Sequence, residues 1–257
     1  MAGIEPTTNG FGDPLRQRIF WIKALTIVAL LCLWESLSLS GLFFKGVVPS
    51  TFLVAKAVVL ELVDAGFYQD LGITMLETSV GFVVGSIIGI ACAIVLGTNS
   101  YVRKMIEPYI IAIGGTPKII FLPIAMLLLG TGIGSKVALG ALSAFFPVAI
   151  NTAAGLRQLN PVYARVGRSF RLSSWQMARR VYLPALRASL VTSMRLGFGL
   201  AVVGVLLAEI KLSSAGLGFL ANDHYSQFRI ADLYAVILLI FILAVGINSL
   251  MGRLHKH

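Results

Sequence analysis

The chain is expected to fold as an all-α membrane protein of about six transmembrane helices, with an arginine-rich loop on one side and a short amphipathic helix on the other. Three observations predict this. Of 257 residues, 57% are hydrophobic and only 12% are charged, and mean hydropathy is +0.88, whereas soluble domains carry about 25% charge. Apolar runs long enough to cross a bilayer as helices, about 20 residues each, recur along the sequence. Lys and Arg gather in alternate connections between those runs, as the positive-inside rule requires. The formal net charge of +10 would suit nucleic acid if it formed a patch. Here it sits in the connections, where topology accounts for it, so the expected partner is the lipid bilayer and not nucleic acid.

Taken in order, residues 1–18 are polar and read as a tail. The first span is residues 19–39. A cleavable signal peptide competes with that reading, but the run is long for one and carries Glu35 late. Next, Pro49-Ser50 is a helix-start signal, and Phe52, Leu53, Ala57, Leu60 and Val63 recur at helical spacing. This predicts a short amphipathic helix at the membrane surface. The second span, residues 72–96, places Gly81, Gly85 and Gly89 four apart, a spacing that lets two helices approach closely. The third span, 105–129, is interrupted by Gly114, Gly115, Pro117 and Pro123, and the fourth, 135–151, contains Pro147. Spans five and six are residues 188–208 and 231–250, followed by a basic tail. Cys32 and Cys92 both lie in apolar runs, with no spacing that suggests a metal or a disulfide.

Between spans four and five lies the least membrane-like stretch, residues 163–184. It carries Arg165, Arg168, Arg171, Arg179 and Arg180, while Val166, Phe170, Leu172, Trp175, Met177 and Val181 recur at roughly helical spacing. A cationic, amphipathic segment of this kind needs a polar partner or a lipid surface. One face of the membrane collects Arg16, Arg18, Lys23, Arg103, Lys104, Arg157, these arginines, Arg253 and Lys256. The other has Lys45, Lys56, Lys136, Lys211 and Arg229. Both termini and the arginine-rich loop are therefore expected in the cytoplasm.

Ionisable residues at membrane depth are functional candidates by default. Lys118 lies about 13 residues into the third span, roughly 20 Å along a straight helix, directly after Thr116-Pro117. Irregular backbone at that depth must be buried in protein or line a cavity, so Thr116, Pro117 and Lys118 are candidates for the wall of a polar path. A lysine snorkelling from a shifted span is the other reading. Glu35, Glu77 and Glu209 sit near span ends, where contact with water is the cheaper explanation, and Arg195 is placed to snorkel. Nothing points to an enzyme: there is no HExxH, CxxC or GxSxG. The near-P-loop at Gly130 has Ser135 in place of its second Gly and Val137 in place of Ser or Thr. If ATP drives the protein, another chain hydrolyses it.

These residues together resemble a permease subunit of a bacterial ABC importer, in the nitrate, sulfonate and taurine-like branch. The likeness runs through Trp34-Glu35, Gly81-Phe82, Gly97, Glu107-Pro108, Thr116-Pro117-Lys118 and Leu122-Pro123. It continues through residues 132–136, Phe145-Phe146-Pro147, Asn151-Thr152, Asn160-Pro161, Leu183-Pro184, Ala208-Glu209 and residues 214–218. In the loop, the family pattern is Glu-Ala-Ala, three residues, Gly, nine residues, then Ile, any residue, Leu, Pro. Counted back from Pro184, Leu183 matches and Val181 stands for Ile. The Gly position is Arg171, and the Glu-Ala-Ala positions are Arg165, Val166 and Gly167.

The resemblance implies a permease domain over residues 19–252, with tails at 1–18 and 253–257 and a coupling loop at about 157–184. Arg165, Val166, Gly167, Arg168, Ser169, Phe170, Arg171, Leu172, Ser173 and Pro184 would dock on an ATPase subunit. Arginine at both altered positions suggests a more acidic docking groove, and Arg171 fits a tight turn easily only where its φ is negative. No cofactor is implied on this chain, since ATP and Mg belong to the partner. The implied setting is the bacterial inner membrane, with a second permease chain as a homodimer and a periplasmic binding protein that delivers a small solute by alternating access. Sulfonate or nitrate suits the branch, which is also similar to carriers of pyrimidine precursors and aromatic acids. Two other readings stay open from the residues alone: a self-contained secondary transporter or channel, and a structural subunit of a larger membrane enzyme.

Overall fold

A computed structural model describes residues 14–44 and 46–253. Lys45, Lys256, and most of the two expected tails lie outside the described residues. Twelve helices are described: α1 (Pro14–Leu39), α2 (Thr51–Val63), α3 (Ala65–Thr98), α4 (Ser100–Gly115), α5 (Leu122–Leu129), α6 (Ile133–Gln158), α7 (Pro161–Ser169), α8 (Ser174–Met177), α9 (Leu183–Ala185), α10 (Arg187–Leu212), α11 (Leu217–Ser226) and α12 (Ile230–Arg253). Among the described residues, five helices are long and apolar enough to cross a membrane: α1, α3, α6, α10 and α12. The expected six are reached where the bent pair of α4 with residues 118–129 counts as one broken span, and five where it is a re-entrant loop.

The helix boundaries follow local chemistry. Ser50 caps α2, its Oγ accepting from the Leu53 N–H at 3.3 Å. Asp64 ends α2 and caps α3, accepting from the Gly66 N–H at 3.3 Å. Asn99 separates α3 from α4 and accepts from the Tyr101 and Val102 N–H groups. Asn160 caps α7, with Pro161 at its first turn.

The third expected span is not one rod. The chain turns by 99° between α4 and the 3₁₀ turn Lys118–Phe121 that leads into α5. The cause is Thr116 before Pro117. Proline disfavours helical backbone in the preceding residue, and Thr116 is extended, with φ −79° and ψ 141°. At eight residues, or about 12 Å, α5 is too short to cross a membrane.

The centre of the molecule is α6 held between α3 and α10. Their contact is close because one row of glycines faces bare backbone. A Cβ on Gly81, Gly85 or Gly89 would lie 2.8, 2.2 and 3.0 Å from the carbonyl oxygens of Val137, Ala141 and Phe145. Both rows advance by four residues, which is the i, i+4 ridge of a helix. The packing expected from the glycine spacing is therefore present, with α6 as the partner. Farther out, α12 packs on α2 and α11. By contrast, α1 has no buried residue in its apolar window. It joins the rest chiefly through its end, where Trp34 Nε1 donates to the Pro49 carbonyl at 2.9 Å. The Glu35 carboxylate accepts from the Thr51 N–H and hydroxyl.

Two span-end glutamates do not meet water as expected. Glu77 and Glu209 are both 0% exposed, and Lys136, expected in an outer connection, is 5% exposed in the first turn of α6.

Candidate functional site

The arginine-rich loop folds into two short helices around one sharp turn. At the end of α7, the Phe170 N–H donates to the Val166 carbonyl. The Arg171 N–H donates to Arg168 at 2.9 Å, and the Leu172 N–H reaches back to Gly167 at 3.2 Å. This is a Schellman closure. It requires a left-handed residue just past the helix, and that residue is Arg171, with φ +51°. The condition under which Arg171 would fit a tight turn easily, a negative φ, is not met. A residue with a side chain thus holds a backbone conformation that glycine adopts freely, at a cost of about 1 kcal/mol. Immediately afterwards Ser173 begins α8 in a capping box: its Oγ accepts from the Gln176 N–H, and its own N–H donates to the Gln176 side chain at 2.9 Å. Gly167 faces Met177, whose sulfur would lie 2.4 Å from a Cβ there, so α7 is clasped to α8.

This construction leaves the rest of the loop outward. Arg165, Val166, Arg168, Ser169, Ser173 and Pro184 are exposed, as are Phe170 (74%) and Trp175 (71%). Leu172 is half-buried. Among the described residues, none of Arg165, Arg168, Arg171, Arg179 and Arg180 is in an ion pair. A surface with two protruding aromatic rings and five unpaired guanidiniums can bind an acidic, partly apolar partner.

The second candidate region lies at the elbow between α4 and α5. Thr116, Pro117 and Lys118 line a cavity of about 310 Å³, with Ser143 and Phe146 of α6 and Gly204 of α10 opposite. The three sequence candidates are thus together on one wall. Lys118 is at the bend, so its depth is not that of a residue on a straight helix. Its Nζ donates to the carbonyls of Ile113, Gly114 and Thr116, at 3.1, 2.8 and 2.6 Å. It also lies 4.8 Å from the Phe146 ring centroid. An ammonium has three N–H groups, and all three are spent on closing the end of α4. A solute in the cavity would feel its charge without gaining one of its hydrogen bonds. Lys118→Met should therefore loosen the elbow by about 1–3 kcal/mol, seen as a lower melting temperature and faster proteolysis near residue 116. Unchanged melting would remove the case for Lys118 as the fastener.

One polar cluster joins charged residues that the sequence placed apart, at span ends and in an outer connection. Lys136 Nζ is 2.9 Å from Glu77 Oε1 and donates to Ser213 Oγ at 2.7 Å. Glu209 accepts from the Thr74 hydroxyl and the Gly218 N–H, both at 2.7 Å. Thr74 in turn accepts from the Leu217 N–H, and Asp70 from the Gly216 N–H. Gly216 has φ +105°, and a Cβ there would lie 2.4 Å from Glu209 Oε1. The cluster fastens residues 213–218 to α3, α6 and α10. The hint in the sequence was a lysine and two glutamates on apolar helices beside Gly216 and Gly218. Likewise, buried His224 meets Glu61 at 2.8 Å and joins α11 to α2. Arg195 does not simply snorkel: its Nε donates to Asn248 on α12 at 2.9 Å.

Residues 81–257 match the family described as binding-protein-dependent transport system inner membrane component. The chain is 26% identical over 259 residues to a putative aliphatic sulfonates transport permease of Bacillus subtilis (strain 168), covering 99% of this chain and 94% of that one. It is 28% identical over 184 residues to a nitrate import permease of Synechocystis sp. (strain ATCC 27184 / PCC 6803 / Kazusa), covering 72% and 66%. Its fold is similar to a chain of the MetNI methionine ABC transporter in an inward-facing form, with TM-score 0.60 and 19% identity over 80% of this chain and 96% of that one. The family match takes in the second half of α3, the elbow, the arginine-rich loop and the Lys136, Glu209 and 213–218 side of the polar cluster, while Asp70, Thr74 and Glu77 lie before it. On that match the chain belongs to the binding-protein-dependent transport inner membrane components, the permease subunits of ABC importers.

Proposed function

We propose that this permease forms the translocation path of an ATP-driven importer for a small anion, such as a sulfonate or nitrate, received from a periplasmic binding protein. Two copies of the chain make the path. ATP and Mg act on separate cytoplasmic ATPase subunits, whose movement reaches the spans through the loop from Arg165 to Ser173. Both termini lie in the cytoplasm of a bacterial inner membrane. The observation that carries this reading is the loop itself: a pair of short helices, closed by a Schellman turn and a capping box, with its aromatic and cationic side chains unused within the chain. A segment so fully capped and so exposed is built to be gripped. The sulfonate and nitrate relatives support the substrate class. The cavity at Thr116, Pro117 and Lys118, with a fixed positive charge in its wall, suits an anion passing close by.

A nucleotide can shift the path between inward and outward states only if the ATPase grips one state better, so the loop must transmit force. In mild detergent, the chain should co-purify with an ATPase carrying a P-loop, and scrambling residues 165–175 should abolish that association. Uptake by the reconstituted complex should be vanadate-sensitive. A chain that purifies alone and transports without nucleotide would make it a self-contained transporter.

A further inference from the structure

We infer that the arginine-rich loop is charge-coded for its own ATPase: Arg165 and Arg171 select a partner whose docking groove carries carboxylates beside an aromatic-accepting pocket. The inference rests on the docking role proposed above and adds the chemistry of the partner. Its starting point is the backbone of Arg171. Glycine would hold the left-handed turn without strain, yet the position carries the longest cationic side chain and makes no ion pair among the described residues. Strain retained at an exposed turn points to a use for the side chain outside the fold.

The neighbours define that use. Arg171 follows Phe170 directly, and Trp175 lies in the first turn of the next helix. Arg165 lies two turns back on α7, where the Ser169 hydroxyl donates to its carbonyl at 3.1 Å and leaves the guanidinium free of local bonds. Two guanidiniums can each take a carboxylate bidentately, while Phe170 and Trp175 supply the buried anchors that carry binding energy. A groove lacking carboxylates would leave both guanidiniums desolvated and unpaired. The loop therefore rejects neutral or basic grooves as well as favouring acidic ones.

The test uses the full chain and the P-loop ATPase that co-purifies with it, each then purified and recombined. Arg171→Gly should raise the melting temperature of the permease while reducing retained ATPase by about tenfold or more. Arg165→Glu with Arg171→Glu should reduce it further, and retention by the native chain should fall steeply between low and high salt. Photo-crosslinkers at positions 170 and 175 should land beside Asp or Glu residues of the ATPase. Full retention by Arg171→Gly, or crosslinks in a groove without carboxylates, would overturn the inference while leaving the docking role intact. If the arginine variants lose only their preference for nanodiscs of anionic over neutral lipid, the surface reads lipid headgroups and the protein partner is wrong. If the native chain retains no ATPase, the docking role fails, and the inference with it.

Discussion

Lys136→Met is expected to cost about 3–5 kcal/mol, a large share of the roughly 5–15 kcal/mol by which a typical domain is stable. Lys136 Nζ stands 2.9 Å from Glu77 Oε1, and Glu77 is wholly inaccessible. Among the described residues, the Glu77 carboxylate has no partner apart from this ammonium. Removing the lysine leaves a carboxylate on an apolar helix with neither water nor a counter-charge, and unpaired buried charges are among the costliest defects a fold can carry. Ser213 would also lose one of its two donors, keeping the Ala215 N–H. The expected result is a large drop in melting temperature in detergent and little monodisperse protein. The informative companion is Glu77→Leu with Lys136→Met. Replacing both partners removes the desolvation penalty as well as the attraction, so this double variant should recover most of the lost stability. If the single variant melts like the native chain, or the double variant is worse than the single, the Glu77–Lys136 pair does not carry the stability assigned to it.

Gly85→Ala is expected to force α3 and α6 apart, at about 3 kcal/mol or more. Overpacking commonly costs 1–3 kcal/mol when side chains can move aside. Here the atom in the way is the Ala141 carbonyl oxygen, 2.2 Å from where the new Cβ would stand, and helix backbone yields only by moving the whole helix. Gly72→Ala is the control. It lies on the same helix with nothing within 4 Å of its Cβ position, and alanine is the better helix former by about 1 kcal/mol. Gly72→Ala should therefore melt at or above the native temperature, and Gly85→Ala well below it. Equal melting of the two variants would mean that the glycine row is incidental.

Several features could be read directly from the residues. Spans are legible because a bilayer offers no hydrogen bonds to the backbone, so each crossing must be a complete helix of apolar residues. The glycine row was legible for the same local reason: spacing of four marks a helix face, whatever packs on it. The loop frame ending at Leu183-Pro184 was legible as a pattern, and the helix start before Thr51 as a cap. The interruption of the third span was visible in Thr116-Pro117. Its 99° turn was not, because proline forbids one backbone conformation without choosing the direction that follows.

The sequence by itself determined that the chain is a helical membrane protein with a polar, arginine-rich loop between spans four and five. Residue type and short-range periodicity suffice for that, since both act within a few residues, whereas the permease reading rested on the resemblance of its motifs to a family. Only the tertiary structure decided what the charged residues do. Glu209 finds Thr74 at a separation of 135 residues. Glu77 finds Lys136 on another helix, and Lys118 spends its donors on carbonyls that a straight helix would have used itself. The same holds for Arg171, whose left-handed backbone is imposed by the closure from Leu172 to Gly167. A charge on an apolar helix announces that it needs a partner, but which partner it gets depends on how the helices cross, and that is settled by packing over the whole chain.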